Sequence, residues 1–181
     1  MPSPQKQKGK GYENDIAKHL SKVFGDNFMR VPSSGAYLGG KNHDRRHTMT
    51  SGQIKAHKGD IIPPDDWHYF NCEVKFYKDF KFHQLFDESK TLESWIKETM
   101  QTASPGDLNL IFMKFNRIGE FVAYQSIEQF GAEQYTVYRD GWRVTSKEQF
   151  WNERNAAIIR ARSTGNFIDK TQLPNPGKPL I

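Results

Sequence analysis

Four residues of this 181-residue sequence combine types and spacing suited to the hydrolysis of a phosphodiester bond. Asp60 follows Gly59, and after twelve intervening residues comes the segment Glu73-Val74-Lys75. Carboxylates of this kind bind a hard divalent cation, which neutralises the charge that develops on the phosphate. A neighbouring ammonium group can orient or deprotonate the attacking water. Glu13, near the N-terminus, is the fourth candidate for such a site.

The segment that contains Glu73 and Lys75 predicts a β-strand. Apolar residues occupy every second position and polar or aromatic residues the positions between them, namely Phe70, Cys72, Val74 and Phe76 against Tyr69, Asn71, Glu73 and Lys75. Because one face is wholly apolar, we expect this strand to be central in its sheet. Ile61 and Ile62, a turn at 63–66 and the run 67–76 predict a β-hairpin, which would bring Asp60 beside Glu73.

Glu13 belongs to a segment with helical periodicity from Gly11 to Phe24. It shares one side of that helix with Ala17, Leu20 and Phe24, so its carboxylate should face inward and needs a partner there. A short strand is expected next, from Phe28 to Val31.

The remaining elements are predicted from periodicity and turn residues. We expect a long loop over 33–57, a helix from about Phe86 to Ala103, strands over 108–115 and 120–125, a hairpin of 135–139 with 142–145 around the two-residue turn Asp140-Gly141, and a last helix from Ser146 to about Arg162. Residues 1–162 would form one nuclease domain, with a core over about 8–125 and a C-terminal hairpin and helix over 134–162. Residues 163–181 have little to pack and are expected to be a mobile tail.

Composition favours a soluble protein with a polyanionic partner. The net charge is +5 and the pI is about 9.2, which suits nucleic acid, although a solubilising surface would also explain the charge. Basic and polar residues of the first third are the candidate DNA contacts: Lys8, Lys10, Arg30, Ser34, Lys41, Arg45, Arg46, Lys55 and Lys58. The mean hydropathy of -0.79 and the lack of a long apolar run indicate a cytoplasmic protein. The single cysteine, Cys72, excludes an internal disulfide.

Two alternative interpretations concern histidines and aromatic residues. His43 and His47 are four residues apart, with His57 downstream, but the segment lacks helical periodicity, so contact with solvent or phosphate is favoured over zinc binding. Several aromatic residues could stack on unpaired bases, but a core position is more common for them: Trp67, Tyr69, Trp142 and Trp151.

The order of these motifs resembles that of the PD-(D/E)XK nuclease superfamily: helix with Glu13, strand, Gly59-Asp60, Glu73-Val74-Lys75, helix, strand. Lys8-Gly9 before Glu13, and the motif Arg30-Val31-Pro32-Ser33-Ser34-Gly35, are similar to the archaeal-type Holliday-junction resolvases and their phage relatives. Gly59 stands where a proline is usual, and Asn14 where those resolvases often carry an arginine. The resemblance covers about residues 8–115.

This resemblance implies an α/β fold, that is, an α+β restriction-endonuclease-like core with a four-stranded mixed sheet flanked by helices. It implies that Asp60, Glu73 and the backbone carbonyl of Val74 bind Mg²⁺, or Mn²⁺ in its place, and that Lys75 orients water. Glu13 would be a further acidic group that acts through a water, and Ser34 would contact the substrate or the active site.

The substrate implied is branched or duplex DNA. Resolution of a junction needs two symmetric cuts and therefore a homodimer. A nickase, a restriction-like enzyme, an exonuclease and a noncatalytic nucleic-acid-binding module remain alternatives, and magnesium-dependent cutting separates the last of these from the others.

Overall fold

The structure is a computed structural model that describes residues 4–32, 48–125, 136–166, 168, 171, 173 and 174. Helix α1 (Pro4–Phe24) packs its apolar stripe against the sheet and ends at Gly25, whose φ of 68° is left-handed. It begins seven residues before the predicted start at Gly11. Periodicity did not predict these first turns because they contain no large apolar residue, whereas their Gln and Lys residues are good helix formers.

A mixed sheet carries most of the core, as expected. Its five strands are β3 (Phe70–Tyr77), β4 (Leu108–Phe115), β5 (Gly119–Gln125), β6 (Thr136–Val137) and β7 (Trp142–Ser146), in the order β3-β4-β5-β7-β6. Strands β3 and β4 are parallel and are connected through helix α3 (Lys90–Thr102), and the other pairs are antiparallel. The parallel register places Asn71 opposite Asn109 and Glu73 opposite Ile111.

Strand β3 lies at the edge of the sheet that the structure describes, so the prediction of a central strand is wrong. Its apolar face is buried because α1 covers it, and Cys72 is fully buried there. Apolar residues at every second position indicate that one face of a strand is covered. They do not indicate how many strands pair with it.

The predicted hairpin between Ile61-Ile62 and the following strand is also wrong. Strand β2 (Ile61–Ile62) pairs with β1 (Met29–Arg30), and these two form a separate antiparallel sheet. Pro63 and Pro64 follow β2 and have no backbone N–H to donate, so the chain beyond Ile62 is poorly suited to extending a ladder.

Helices cover both faces of the five-stranded sheet. Helices α1 and α5 (Glu153–Thr164) pack on one face, and α3 packs on the other. Trp67, Trp142 and Trp151 are buried, as expected for core residues. Leu173, from the segment for which little packing was expected, is also buried in the layer of α1. Residues 175–181 lie outside the described part of the chain.

Three local predictions need correction. The segment expected to be a loop contains helix α2 (Ser51–Ala56), which begins with a capping box formed by Thr50 and Gln53. The predicted last helix is two helices, α4 (Lys147–Phe150) and α5, because Asn152 caps a new helix after Trp151. The β6–β7 turn has three residues, Arg139–Gly141, and is closed by the Tyr138 N–H donating to Trp142 O at 2.7 Å.

None of the helices in the described ranges combines the length and apolar character needed to cross a bilayer.

Candidate active site

Asp60 is attached to the exposed edge of β3 through both its backbone and its side chain. Its N–H donates to the carbonyl of Cys72 at 2.8 Å, and its Oδ2 accepts from the N–H of Val74 at 2.9 Å. In a strand the N–H and the carbonyl of one residue point to the same edge, so the carbonyl of Val74 also faces Asp60. A single aspartate thus occupies the place that a neighbouring strand would take.

Gly59 makes this close approach sterically possible. Its φ is 64°, and a Cβ at this position would lie 2.4 Å from the carbonyl oxygen of Cys72. Proline has a φ near -65° and could not adopt this backbone conformation. The glycine in place of the usual proline is therefore required by how this chain places Asp60 against β3.

Glu73 lies beside Asp60 and is 8% exposed. Burial raises the pKa of Glu73, and the charge of Asp60 raises it further. The nearby Lys75 opposes these effects only in part, so the pKa of Glu73 is about 8. Two neighbouring carboxylates that are both buried repel each other, and they are stabilised when a proton or a cation lies between them. The pair could therefore hold a cation.

Lys75 lies between two carboxylates on the face of β3 that α3 covers. Its Nζ is 3.1 Å from Glu73 Oε2 and 2.7 Å from Glu98 Oε2. Burial lowers the pKa of Lys75, but Glu73, Glu98 and Asp60 outweigh it, so the pKa lies above its usual value. The amine is therefore held as an ammonium group next to the Asp60–Glu73 pair.

Glu98, on α3, was not predicted as a site residue. It is half exposed, and its Oε1 accepts from Ser94 Oγ at 3.5 Å. An acidic residue on the polar side of an amphipathic helix is ordinary, so the sequence holds no signal that α3 would bring it to Lys75. The contact depends on how the crossover helix packs over β3.

Glu13 has the inward position expected of it, and its partner is Arg30 of β1. Arg30 Nη1 lies 3.1 Å from Glu13 Oε2 and also donates to the Val31 carbonyl at 3.0 Å. Burial raises the pKa of Glu13, the charge of Asp60 adds to this, and Arg30 opposes both. Glu13 therefore borders the site through its electrostatic interaction with Asp60, while its side chain is paired with Arg30.

The donor set fits a small divalent cation. Among the described residues no three His, Cys, Asp or Glu side chains come together as a metal-binding group. Magnesium is commonly held by only one or two carboxylates, with waters and substrate phosphate filling the other positions. Asp60 and Glu73 would supply those carboxylates and Val74 its carbonyl.

The predicted DNA contacts fall into three groups. Lys8 and Lys10 are exposed on α1, and Lys10 lies close enough to lower the pKa of Glu13. Lys55 donates to the carbonyl of Pro64, and Lys58 is buried in an ion pair with Asp107. Apart from Arg30, which pairs with Glu13, the other predicted contacts lie outside the described residues: Ser34, Lys41, Arg45 and Arg46.

The histidine and aromatic alternatives are only partly represented in the structure. His43 and His47 lie outside the described residues, so the zinc alternative has no geometry to describe. Tyr69 is 41% exposed, in contrast to the three buried tryptophans, and its ring lies against Gly106 and Gly165.

A family model described as "Phage putative PDDEXK endonuclease" matches residues 4–159 of the chain. No curated protein sequence is significantly similar to it. Among solved structures, the chain is similar to Hjc, a Holliday junction resolvase from the archaeal hyperthermophile Archaeoglobus fulgidus, with 15% identity and a TM-score of 0.32. That match covers 90% of this chain and 99% of the other. Similarity at this level is not evidence of a shared substrate.

Proposed function

Because the chain belongs to the phage putative PDDEXK endonuclease family, we propose that it hydrolyses DNA phosphodiester bonds at Asp60, Glu73 and Lys75 with the help of Mg²⁺. The observation that carries this proposal is the buried Asp60–Glu73 carboxylate pair with the Lys75 ammonium 3.1 Å from Glu73. An enclosed acidic pair needs a positive charge, and a phosphodiester substrate needs the same charge to accept a nucleophile.

Each residue has a distinct part in the proposed reaction. Asp60 and Glu73 hold the cation, which when bound neutralises phosphate charge and lowers the pKa of a coordinated water. Lys75 hydrogen-bonds to that water or to a nonbridging phosphate oxygen. Its raised pKa supports electrostatic stabilisation over proton removal, since an ammonium group has no free electron pair to accept a proton. Glu13 takes part through a bound water, and Mn²⁺ should replace Mg²⁺.

We further propose that the substrate is branched DNA and that the enzyme is a homodimer. The support is the resemblance of Lys8-Gly9, Glu13 and the segment Arg30–Gly35 to junction resolvases. Resolving a junction requires two cuts related by symmetry, and a twofold dimer supplies two sites. The chain would act as one nuclease domain, since its own helices cover both faces of the sheet that carries the site. It would work in the cytoplasm of a bacterial or phage-infected cell, where DNA is accessible.

The test is a cleavage assay with end-labelled DNA of several structures. Purified protein is incubated with Mg²⁺ or Mn²⁺ and a four-way junction, a linear duplex, a flap or a single strand. We expect paired, symmetric cuts in the junction, no cutting in EDTA, and a dimeric mass in solution. Cutting of linear duplex from its ends by a monomer would make the protein an exonuclease. Salt-dependent binding without any cutting would make it a binding module.

A further inference from the structure

Lys58 and Asp107 form an ion pair that is as deeply buried as Asp60 and Glu73. Lys58 Nζ lies 2.6 Å from Asp107 Oδ1, and the two side chains are 6% and 0% exposed. Removing two charges from water is costly, and the attraction between them often only offsets that cost. An ion pair this deep therefore contributes little net stability, and its geometry is the feature to explain.

The pair connects two segments that each contribute to the site. Lys58 stands two residues before Asp60, in the turn that follows α2. The other carboxylate oxygen of Asp107, Oδ2, accepts from the N–H of Ser104 at 2.5 Å, just beyond the end of α3. Helix α3 carries Glu98, the partner of Lys75. Asp107 thus joins the segment that carries Asp60 to the helix that contacts Lys75.

Asp60 lies between the end of α2 at Ala56 and the start of β2 at Ile61. Strand β2 is only two residues long, and Gly59 has the backbone freedom of a glycine at positive φ. Where Asp60 bonds to β3, Gly59 lies so close to the strand that a Cβ on it would be 2.4 Å from Cys72 O and 3.0 Å from Asn71 Oδ1. Lys58 is the nearest preceding residue with a charged side chain, and it points into the protein and not into solvent.

We propose that Asp107 is a positioning residue for the metal site. Its ion pair with Lys58 holds the Gly59-Asp60 backbone at hydrogen-bonding distance from β3. This inference rests on the proposed function, because it concerns the cation that Asp60 and Glu73 would hold. It also reassigns Lys58, which the sequence suggested as a DNA contact, to the interior of the site.

The test compares Asp107→Asn with Val144→Ala, measuring Mn²⁺ affinity by calorimetry, cleavage kinetics and Tm. The amide of Asn has the shape of the carboxylate but removes the negative charge that Lys58 Nζ contacts at 2.6 Å. We expect Mn²⁺ to bind about 10- to 100-fold more weakly, as is typical when a residue that orients a metal ligand is lost. The value of kcat should fall with it while KM for DNA stays unchanged. Val144 is buried in β7, three strands along the sheet from β3, so its truncation should lower Tm but leave Mn²⁺ affinity unchanged.

A second variant covers the case in which Asp107→Asn does not fold. The double variant Lys58→Met with Asp107→Leu leaves no charge buried alone, and such apolar replacements commonly preserve the fold. It should fold and still bind Mn²⁺ at least about tenfold more weakly than the wild type. Apolar side chains in contact do not hold the Gly59-Asp60 backbone in one position as a short ion pair does. Wild-type affinity in either folded variant would overturn the role of Asp107 and leave the nuclease proposal intact. A wild-type protein that neither binds Mn²⁺ nor cuts DNA would overturn both.

Discussion

The carboxylate of Asp60 accepts a hydrogen bond from the backbone N–H of Val74, with 2.9 Å between Oδ2 and the nitrogen. Val74 separates Glu73 from Lys75, so one acidic group of the proposed site is bound to the backbone that presents the other two side chains. The relative positions of Asp60, Glu73 and Lys75 are therefore set largely by the backbone of β3.

Gly59→Ala should destabilise the protein and weaken metal binding. The added Cβ would lie 2.4 Å from the Cys72 carbonyl oxygen, and φ would remain at 64°, which costs a non-glycine residue about 1–3 kcal/mol. Chemical unfolding and Mn²⁺ calorimetry measure the two effects. Gly11→Ala is the matched control, because Gly11 lies within α1 with nothing near its Cβ position. That control should stabilise the helix by about 0.5–1 kcal/mol. Equal effects of the two substitutions would contradict the steric role of Gly59.

Glu73→Gln should change the pH dependence of stability in the absence of metal. The folded pKa of Glu73 is about 8 against an ordinary 4.5, so between these pH values the folded state binds more protons than the unfolded state. The free energy of unfolding of the wild type should therefore fall as pH rises from about 4.5 to about 8 and level off above it. The Gln variant lacks this slope and should be more stable than the wild type at pH 9 by a few kcal/mol.

Urea unfolding in EDTA from about pH 5 to about pH 9 tests this prediction. Addition of Mg²⁺ at the upper end of the range should restore stability to the wild type and not to the variant, since the ionised pair is the form that binds the cation. Parallel pH profiles for the two proteins would show that Glu73 is not buried against Asp60 as described.

Glu98→Gln should lower kcat about tenfold and raise the Mg²⁺ concentration needed for half-maximal cleavage. Lys75 would lose one of its two carboxylate partners and pair more fully with Glu73, which would then compete with the cation. DNA affinity, measured by fluorescence anisotropy, should not change. Glu148→Gln, an exposed change on α4, is the control of equal charge and should match the wild type throughout. Normal Mg²⁺ dependence in Glu98→Gln would separate Glu98 from the site.

The residues that could bind metal were predictable because local sequence spacing determines which face of a strand or helix each side chain occupies. Alternation around Val74 placed Glu73 and Lys75 on one face, and helical spacing turned Glu13 inward, where Arg30 pairs with it. Helix α3 and strand β4 also follow from local patterns. These features depend on the periods of a strand and of a helix, which a single sequence displays.

Features that depend on tertiary packing were not predictable in the same way. Apolar residues on one face of β3 suggested a central strand, but the edge of β3 is occupied by Asp60, which bonds to Cys72 and Val74. Lys58 was expected to contact DNA because basic residues crowd the first third of the chain, and only the fold places Asp107 opposite it. Glu98 reaches Lys75 through the packing of α3, a relation between residues 23 positions apart.

The most direct test of the proposed active site is to measure cleavage and DNA binding for the wild type and Glu73→Ala in Mg²⁺. The wild type should cut labelled DNA, whereas Glu73→Ala should bind the same DNA with near wild-type affinity and not cut it. Asp60→Ala and Lys75→Ala should behave in the same way. Cutting by Glu73→Ala at the wild-type rate would contradict the proposed active site, because hydrolysis would then take place away from the Asp60–Glu73 pair.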